Sequence, residues 1–350
     1  MKHGGDLLSY ADYYKGELID FSSNINPLGV PEILERVVID NFKNIEAYPD
    51  IEYRKLKSSV SKYLGCESDG VLLGNGAMEI IDIFTRISNR VIIMLPSFSE
   101  YKERALINKR QVVSIEYKDD FTIDLDKLER VLKSGDLMIL GNPNNPTGLR
   151  INRDLLIELY TLVRKKDAIL LLDEAFFEFV PEDYDSVDLF RSYKYENLGI
   201  IRAATKFFAI PGLRLGYGLT SQKIKEKLLE YQMPWTINVF ADIAGQYIFD
   251  DKKYIKDSKE YIARERRYLL ERLNGIEYLK AYESHSNYIL IKLLKYDEAY
   301  VFKSLLKDGL LVRKCSSFTT LGENHIRIAV KNRGNNEKLI SALKKIKGGL

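Results

Sequence analysis

The sequence has few cysteines and no long apolar segment. Its two cysteines, Cys66 and Cys315, lie far apart and form no metal-ligand pattern. We therefore expect no metal site, and we interpret both thiols as structural groups in a reducing, cytoplasmic setting. No apolar run approaches the ~18 residues of a membrane span, and the opening MKHGGDLLSY lacks the apolar core of a signal peptide. These absences argue against a membrane or disulfide-stabilised secreted protein.

The sequence also lacks an excess of charge of either sign. Its 53 basic and 50 acidic residues leave a formal net charge of +3, which gives no electrostatic reason to expect a nucleic-acid partner. No internal repeat and no low-complexity linker is visible. The chain has 350 residues, of which 45% are hydrophobic, and this is enough to build two domains with their own cores.

Short apolar runs alternate with helical patterns along most of the chain, which predicts a mainly parallel sheet covered by helices on both faces. The predicted strands of this large α/β domain include 91–96, 111–117, 137–141, 168–172, 199–204 and 215–220, and its helices include 54–64, 124–133, 152–165, 222–231 and 238–249. A long charged helix at 253–273 follows. The tail then alternates strands 277–282, 288–293, 310–315 and 325–330 with helices 297–307 and 335–347. We divide the chain into an N-terminal arm (1–30), a large domain (31–250) and a small α+β domain (251–350) that includes the arm.

The stretch GIIRAATKFFAIPGLRLGYG, at 199–218, places two basic residues after a buried strand. Lys206 enters a loop rich in glycine and proline, and Arg214 follows eight residues later. Burial lowers the pKa of a lysine, and its neutral amine is a nucleophile that can form a Schiff base. Arginine offers a planar fork of donors that suits a phosphate. The pair points to pyridoxal 5′-phosphate, although this stretch alone is also compatible with two surface residues at a strand end.

Two other predicted strands end in polar residues. AILLLDEAFFEF places Asp173 at a strand end, and LMILGNPNNPTG ends in a turn that carries Asn145. Ligands of open α/β sheets bind at the carboxyl ends of strands. An aspartate there can keep the pyridine nitrogen of pyridoxal phosphate protonated, which makes the ring an electron sink.

The segments NPNNPTG, DEA and TKFFAIPGLRLGY resemble, in their order and spacing, the class I and II aminotransferases, which are pyridoxal-phosphate enzymes of fold type I. The resemblance extends over nearly the whole chain. It implies that Lys206 is the catalytic Schiff-base lysine and Asp173 the partner of the pyridine nitrogen. Asn145 would donate to the 3′-oxygen of the cofactor, Arg214 would bind its phosphate, and Thr205 would be a further cofactor-binding residue. It also implies a homodimer with sites at the subunit interface.

Further cofactor contacts follow from the same resemblance. VLLGNGAMEIIDIF reads as strand, turn and helix, so the backbone N–H groups of Gly76, Ala77 and Met78 could bind the phosphate. Such turns are also common without a ligand. Phe98 would stack on the pyridine ring, unless it is a core residue. Tyr48 would reach the cofactor phosphate of the neighbouring subunit, unless it is an ordinary loop residue.

Two arginines in the tail lie on predicted strands, where a buried cation needs an anionic partner. By resemblance, Arg327 would bind the substrate carboxylate, and Arg313 would bind the phosphate of a phosphorylated substrate. Structural ion pairs are the alternative for both. We also assign His3 of the HGGD segment and Asn26 of FSSNINPLG to substrate binding.

Two subgroups of the family fit this pattern. One is threonine-phosphate decarboxylase of cobalamin biosynthesis, and the other is histidinol-phosphate aminotransferase of histidine biosynthesis, which uses the glutamate/2-oxoglutarate couple. HGGD, FSSNINPLG and the Ile-Pro at 210–211 favour the decarboxylase. Phe176 does too, because aminotransferases usually have a tyrosine there. Ala203 replaces a serine or threonine that usually contacts the cofactor phosphate. We expect decarboxylation of L-threonine O-3-phosphate, with the aminotransferase as alternative and a non-catalytic module that binds pyridoxal phosphate as the third.

Overall fold

The structure is a computed structural model that describes residues 4–346. Its strands are β1 (Ile19–Asp20), β2 (Val71–Asn75), β3 (Arg90–Leu95), β4 (Gln111–Glu116), β5 (Asp136–Gly141), β6 (Ile169–Asp173), β7 (Leu198–Ala203), β8 (Leu215–Thr220), β9 (Leu279–Ala281), β10 (Tyr288–Leu293), β11 (Leu310–Leu311), β12 (Arg313–Lys314) and β13 (His325–Ala329). Its α-helices are α1 (Glu32–Asp40), α2 (Arg54–Leu64), α3 (Ala77–Arg86), α4 (Ser99–Ile107), α5 (Leu125–Val131), α6 (Arg153–Lys165), α7 (Ser186–Phe190), α8 (Ala204–Phe207), α9 (Gln222–Leu229), α10 (Val239–Tyr247), α11 (Lys252–Leu273), α12 (Glu298–Lys307) and α13 (Arg333–Lys345).

The central sheet has seven strands in the order β2-β8-β7-β6-β5-β3-β4. β8 runs antiparallel to both of its neighbours, and the pairs among β7, β6, β5, β3 and β4 are parallel. Successive residues of β3 belong to different hydrophobic clusters, with Ile92 and Met94 in one and Val91 and Ile93 in the other. Side chains of a strand point alternately to opposite faces, so both faces of the sheet are covered. The predicted fold class is confirmed.

The parallel strands end side by side, which sets the position of the candidate site. Asp173 at the end of β6 is in register with Gly141 of β5 and with Ile201 of β7. The loops that follow these three strands therefore start from one edge of the sheet, as expected for a ligand site in an open α/β fold.

The tail forms a second sheet, antiparallel and in the order β12-β13-β10-β9. The predicted strand 310–315 is two strands, because β11 leaves this sheet and pairs in parallel with β1 of the N-terminal arm. The arm also contacts β13, since the backbone N–H of Ala329 donates to the carbonyl oxygen of Phe21 at 2.8 Å. These contacts are compatible with an arm that belongs to the small domain, and the domain boundaries stay our prediction.

The long helix α11 begins one residue before the predicted start and ends at the predicted residue. Asp251 caps it by accepting a hydrogen bond from the backbone N–H of Tyr254 at 2.9 Å. Near its other end, Glu265 accepts hydrogen bonds from Arg333 and Asn336 of α13, which joins the two helices. Within residues 4–346, no helix has both the length and the hydropathy that a membrane span requires.

Candidate active site

Lys206 lies on the short helix α8, immediately after β7 has delivered the chain to the edge of the sheet. Among the described residues, none forms a hydrogen bond or ion pair with its amine. Burial, and then the positive charges of Arg327 and Arg214, lower the pKa of Lys206 to about 8. The neutral amine is therefore far more populated near physiological pH than in an ordinary lysine, and this is the form that a nucleophilic lysine requires.

A cavity of about 250 Å³ opens beside this amine. Most of the sequence-predicted site residues line it. They are Ala77, Met78, Phe98, Asn145, Asp173, Thr205, Lys206, Arg214 and Arg327. The arm adds Ser22, Ser23 and Asn24 to the lining, which the sequence did not indicate.

Asp173 is a buried carboxylate with two donors. The hydroxyl of Tyr101 donates to its Oδ2 at 2.7 Å, and the backbone N–H of Ala175 donates to its Oδ1 at 3.1 Å. Burial raises the pKa of Asp173, and both hydrogen bonds act in the opposite direction. Sequence reasoning missed Tyr101. The available signal was its position three residues after Phe98, since residues at that spacing are neighbours at the start of a helix.

Arg214 packs onto the turn before α3. Its own backbone has a φ of 59°, and Gly76 has a φ of 71°, so both lie in the left-handed region. A Cβ on Gly76 would lie 2.4 Å from Nη2 of Arg214, so only glycine leaves room for this guanidinium. The N–H of Gly76 donates to the carbonyl oxygen of Arg214 at 2.8 Å. This corrects one expectation, because that N–H is not available to an anion. The N–H groups of Ala77 and Met78 belong to the first turn of α3, which lacks intrahelical acceptors.

Arg327 connects three parts of the site. Its guanidinium donates to Oδ1 of Asn145 and, at 3.0 Å, to the carbonyl oxygen of Ser22, while its Nε has no partner among the described residues. Because the oxygen of the Asn145 side chain faces Arg327, the amide nitrogen of this side chain remains to donate elsewhere. That orientation is compatible with the expected donor role of Asn145.

Arg313 and Arg327 lie directly opposite each other on β12 and β13. Both are buried, and burial together with the charge of Arg327 lowers the pKa of Arg313 to about 10. They line a second cavity of about 40 Å³, next to Phe98 and Asn145, and Arg313 donates there to Ser317 Oγ at 2.6 Å. Two like charges at opposite positions of a sheet are unfavourable unless an anion lies between or beside them.

The structure does not bring Asn26 into the pocket. Its side-chain nitrogen donates to the carbonyl oxygen of Phe207 and to Ser258 Oγ, each at 2.8 Å, and its backbone N–H donates to the carbonyl oxygen of Lys206. We therefore correct its assignment to the substrate. Asn26 anchors the arm to the turn that carries Lys206.

Two other predicted residues are outside the cavity. Tyr48 is 81% exposed, and its ring centroid lies 4.8 Å from that of Trp235. Its predicted contact with a neighbouring subunit's cofactor stays a prediction. His3 lies outside the described residues.

The residues present fit pyridoxal phosphate. The cavity has an aromatic side chain at Phe98, a carboxylate at Asp173, an amine at Lys206 and a guanidinium at Arg214 whose place requires a glycine at position 76. Two lining residues differ from the family pattern. Phe176 packs edge-on against Tyr288, with ring centroids 4.9 Å apart, and has no hydroxyl to donate. Ala203 places only a methyl group at the cavity wall.

Known proteins resemble this chain over nearly its full length. Residues 16–346 match the family described as aminotransferase class I and II. A protein of Caldanaerobacter subterraneus subsp. tengcongensis, provisionally named threonine-phosphate decarboxylase, is 40% identical over 98% of this chain and 93% of its own. The threonine-phosphate decarboxylase of Salmonella typhimurium is 32% identical over 99% of this chain and 97% of its own. The solved histidinol-phosphate aminotransferase of Clostridium acetobutylicum has a TM-score of 0.89 and 37% identity, and covers 93% of this chain and 98% of its own.

Proposed function

The chain belongs to the class I and II aminotransferase family, and we propose that it decarboxylates L-threonine O-3-phosphate to (R)-1-amino-2-propanol phosphate. The observation that carries the proposal is the buried pair of Arg313 and Arg327 on neighbouring strands. A substrate with both a carboxylate and a phosphate supplies the two anions that this pair favours. The similarity to two threonine-phosphate decarboxylases supports the same choice.

The cofactor of this enzyme family is pyridoxal phosphate, which when bound withdraws electrons from the bond that breaks at the substrate's α-carbon. We assign the covalent attachment to Lys206 and the partner of the ring nitrogen to Asp173. Phe98 would cover the ring. Arg214 and the first N–H groups of α3 would hold the phosphate, the latter because a helix N-terminus favours anions.

The substrate contacts follow from the two arginines. Arg327 is next to Asn145 and Lys206 in the main cavity, so we assign it to the substrate carboxylate. Arg313 lines only the smaller cavity, so we assign it to the substrate phosphate. The smaller cavity, with a volume of about 40 Å³, has room for roughly three water-sized groups, which suits a compact anion. When the carboxylate leaves as CO2, the Lys206 amine is the group we expect to supply the proton that replaces it on the α-carbon.

Histidinol-phosphate aminotransferase is the second candidate, because a solved enzyme of that name is 37% identical. Histidinol phosphate carries no carboxylate, and its imidazole ring is larger than the threonine side chain. Phe176 also lacks the hydroxyl that aminotransferases usually have at this position. These features favour the decarboxylase, and an assay of the two reactions distinguishes the candidates.

We further propose a cytoplasmic homodimer. Large apolar side chains are exposed in the segments around Tyr48, Trp235 and Tyr247, of which Tyr48 contacts Trp235 and shares a pocket with Tyr247. They are Ile39, Phe42, Ile45, Tyr48, Ile51, Met233, Trp235 and Tyr247. Several of their neighbours line one open pocket between 41–55 and 239–247. Extended exposed apolar surface of this kind is typical of protein interfaces, and a second copy would bring its Tyr48 towards this chain's site.

A paired assay of purified protein loaded with pyridoxal phosphate tests the proposal. One reaction contains L-threonine O-3-phosphate and is followed by CO2 and aminopropanol phosphate. The other contains histidinol phosphate with 2-oxoglutarate and is followed by glutamate. CO2 without glutamate supports the decarboxylase, and glutamate alone replaces it with the aminotransferase.

The control is Lys206→Ala, which should abolish either activity. A protein that shows no visible absorbance with pyridoxal phosphate, and in which borohydride does not fix the cofactor to Lys206, would contradict both enzymatic readings. The non-catalytic module predicts cofactor absorbance in the wild type without either product.

A further inference from the structure

We propose that Tyr101 is a positioning residue that keeps Asp173 ionised and correctly oriented for the ring nitrogen of the cofactor. The inference depends on the cofactor and not on the substrate, so it can be tested whichever of the two reactions the enzyme catalyses. The position of Tyr101 on α4, the burial of both side chains and the donors around the carboxylate support this role.

Asp173 needs stabilisation because its carboxylate is buried. It is 8% exposed, and among residues 4–346 no cation forms an ion pair with it. Burial disfavours its charged form. The two donors that favour the charged form are the backbone N–H of Ala175 and the hydroxyl of Tyr101. Tyr101 is thus the one side chain in the described structure that donates to this carboxylate.

Tyr101 is built to act only as a donor. Its side chain is 2% exposed, and burial together with the negative charge of Asp173 raises its pKa well above the ordinary value. The hydroxyl is therefore protonated at neutral pH and can donate to the carboxylate. Phe98 is the N-cap of α4 and Tyr101 lies on the first turn of this helix, from which its hydroxyl reaches Asp173.

The same helix turn thereby serves two surfaces of the cofactor pocket. The rings of Phe98 and Tyr101 are perpendicular, at 89°, with centroids 5.7 Å apart. Phe98 and Tyr101 both line the cavity, and the hydroxyl of Tyr101 points to Asp173. Shifts of α4 would change the aromatic wall and the carboxylate together, which explains why one tyrosine can set the position of the acid.

The test is Tyr101→Phe, which removes the hydroxyl and keeps the ring. We expect the affinity for pyridoxal phosphate to fall by about ten- to hundredfold, the range for losing a hydrogen bond to a charged group. The affinity for an analogue in which C–H replaces the ring nitrogen should change little, because Asp173 has no proton to hold there. Tyr117→Phe is the matched control, since Tyr117 is a nearby tyrosine whose pKa is raised by burial alone.

A double-mutant cycle adds a second readout. In an Asp173→Asn background, Tyr101→Phe should have almost no further effect on cofactor affinity, because the two residues act through one interaction. Equal losses of affinity for the cofactor and the analogue would overturn the proposal, since they would mean general damage to the pocket. Additive effects of the two substitutions would overturn it as well.

Discussion

The guanidinium of Arg327 donates to the side-chain oxygen of Asn145, and so joins strand β13 of the second sheet to the loop after β5 of the central sheet. The two residues are 182 positions apart in the chain. The contact orients the amide of Asn145 and holds the arginine over the cavity. The tail of the chain therefore contributes directly to the pocket that the central sheet builds.

Replacing Arg327 by alanine should lower kcat/KM for the phosphorylated amino acid by about thirtyfold or more, because truncating one partner of a buried charge pair costs roughly 2–5 kcal/mol. Steady-state kinetics measure this. Arg327→Lys keeps the charge and loses the planar fork, so it should lie between wild type and alanine. Near wild-type kinetics for Arg327→Ala would show that the substrate carboxylate binds elsewhere.

Gly76→Ala should weaken the binding of pyridoxal phosphate by roughly tenfold or more, the loss expected for a displaced charged donor, and its left-handed backbone should cost about 1–2 kcal/mol of stability. The new methyl group would also displace Arg214, whose Nη2 would lie only 2.4 Å away. The dissociation constant can be measured by titrating cofactor-free protein. Gly212→Ala is the control, because no atom lies within 4 Å of a Cβ there. Equal affinities of the two variants would contradict the role of Gly76 in leaving room for the Arg214 guanidinium.

The reactivity of Lys206 should depend on pH in a particular window. Its pKa is lowered to about 8, so the neutral amine in cofactor-free protein should increase as the pH rises through 8. An ordinary lysine would require a pH near 10.4. The rate at which pyridoxal phosphate attaches and is trapped by borohydride can be measured from pH 6.5 to about 10. This rate should reach its plateau at a pH well below the one that a surface lysine requires.

A charge substitution tests the cause of this shift. Arg327→Met removes a neighbouring positive charge. Removing this charge makes the protonated amine of Lys206 more favourable, so the midpoint of the attachment rate against pH should move to higher pH. Arg333→Met, which removes the partner of Glu265 on α13, should leave the midpoint unchanged. A midpoint that does not respond to this substitution would mean that the charge of Arg327 does not contribute to the lowered pKa of Lys206.

Asn26→Ala should destabilise the protein without a matching change in KM. The substitution removes hydrogen bonds to Phe207 and Ser258 in a buried site, which costs about 1–3 kcal/mol of unfolding free energy. Urea unfolding measures this loss. Asn274→Ala changes an exposed residue at the end of α11 and should be nearly neutral. A large rise in KM with unchanged stability would restore Asn26 to the substrate site.

Phe42→Glu should break the proposed homodimer. Phe42 is 58% exposed and stacks on Phe240, with ring centroids 5.9 Å apart, so a buried carboxylate would face the apolar surface of the second copy. Light scattering after size-exclusion chromatography gives the mass. Leu294→Glu, at a residue that is 57% exposed and lies directly after β10, should keep the wild-type mass. A monomeric wild-type protein would rule out the dimer directly.

The sequence by itself determined the elements and the residue types of the site. Helix α2 and strands β8 and β10 have the predicted bounds, because local hydrophobic periodicity is strong there. Lys206, Asp173, Asn145 and Arg214 were recognisable because each lies at or near the end of a strand, inside a motif with fixed spacing. Each of these motifs is local to a short segment, and their order and spacing along the chain can be read from the sequence.

Only the tertiary structure decided how these segments meet. It turned β8 antiparallel, divided the predicted strand 310–315 and paired β11 with the arm. In the folded chain the Gly76 N–H donates to the carbonyl oxygen of Arg214, and Asn26 donates to the carbonyl oxygen of Phe207. The Tyr101 hydroxyl donates to Asp173. Each of these contacts joins residues far apart in sequence or depends on which donor is already satisfied. Which donor pairs with which acceptor depends on how the whole chain packs, so a local sequence pattern cannot predict these hydrogen bonds.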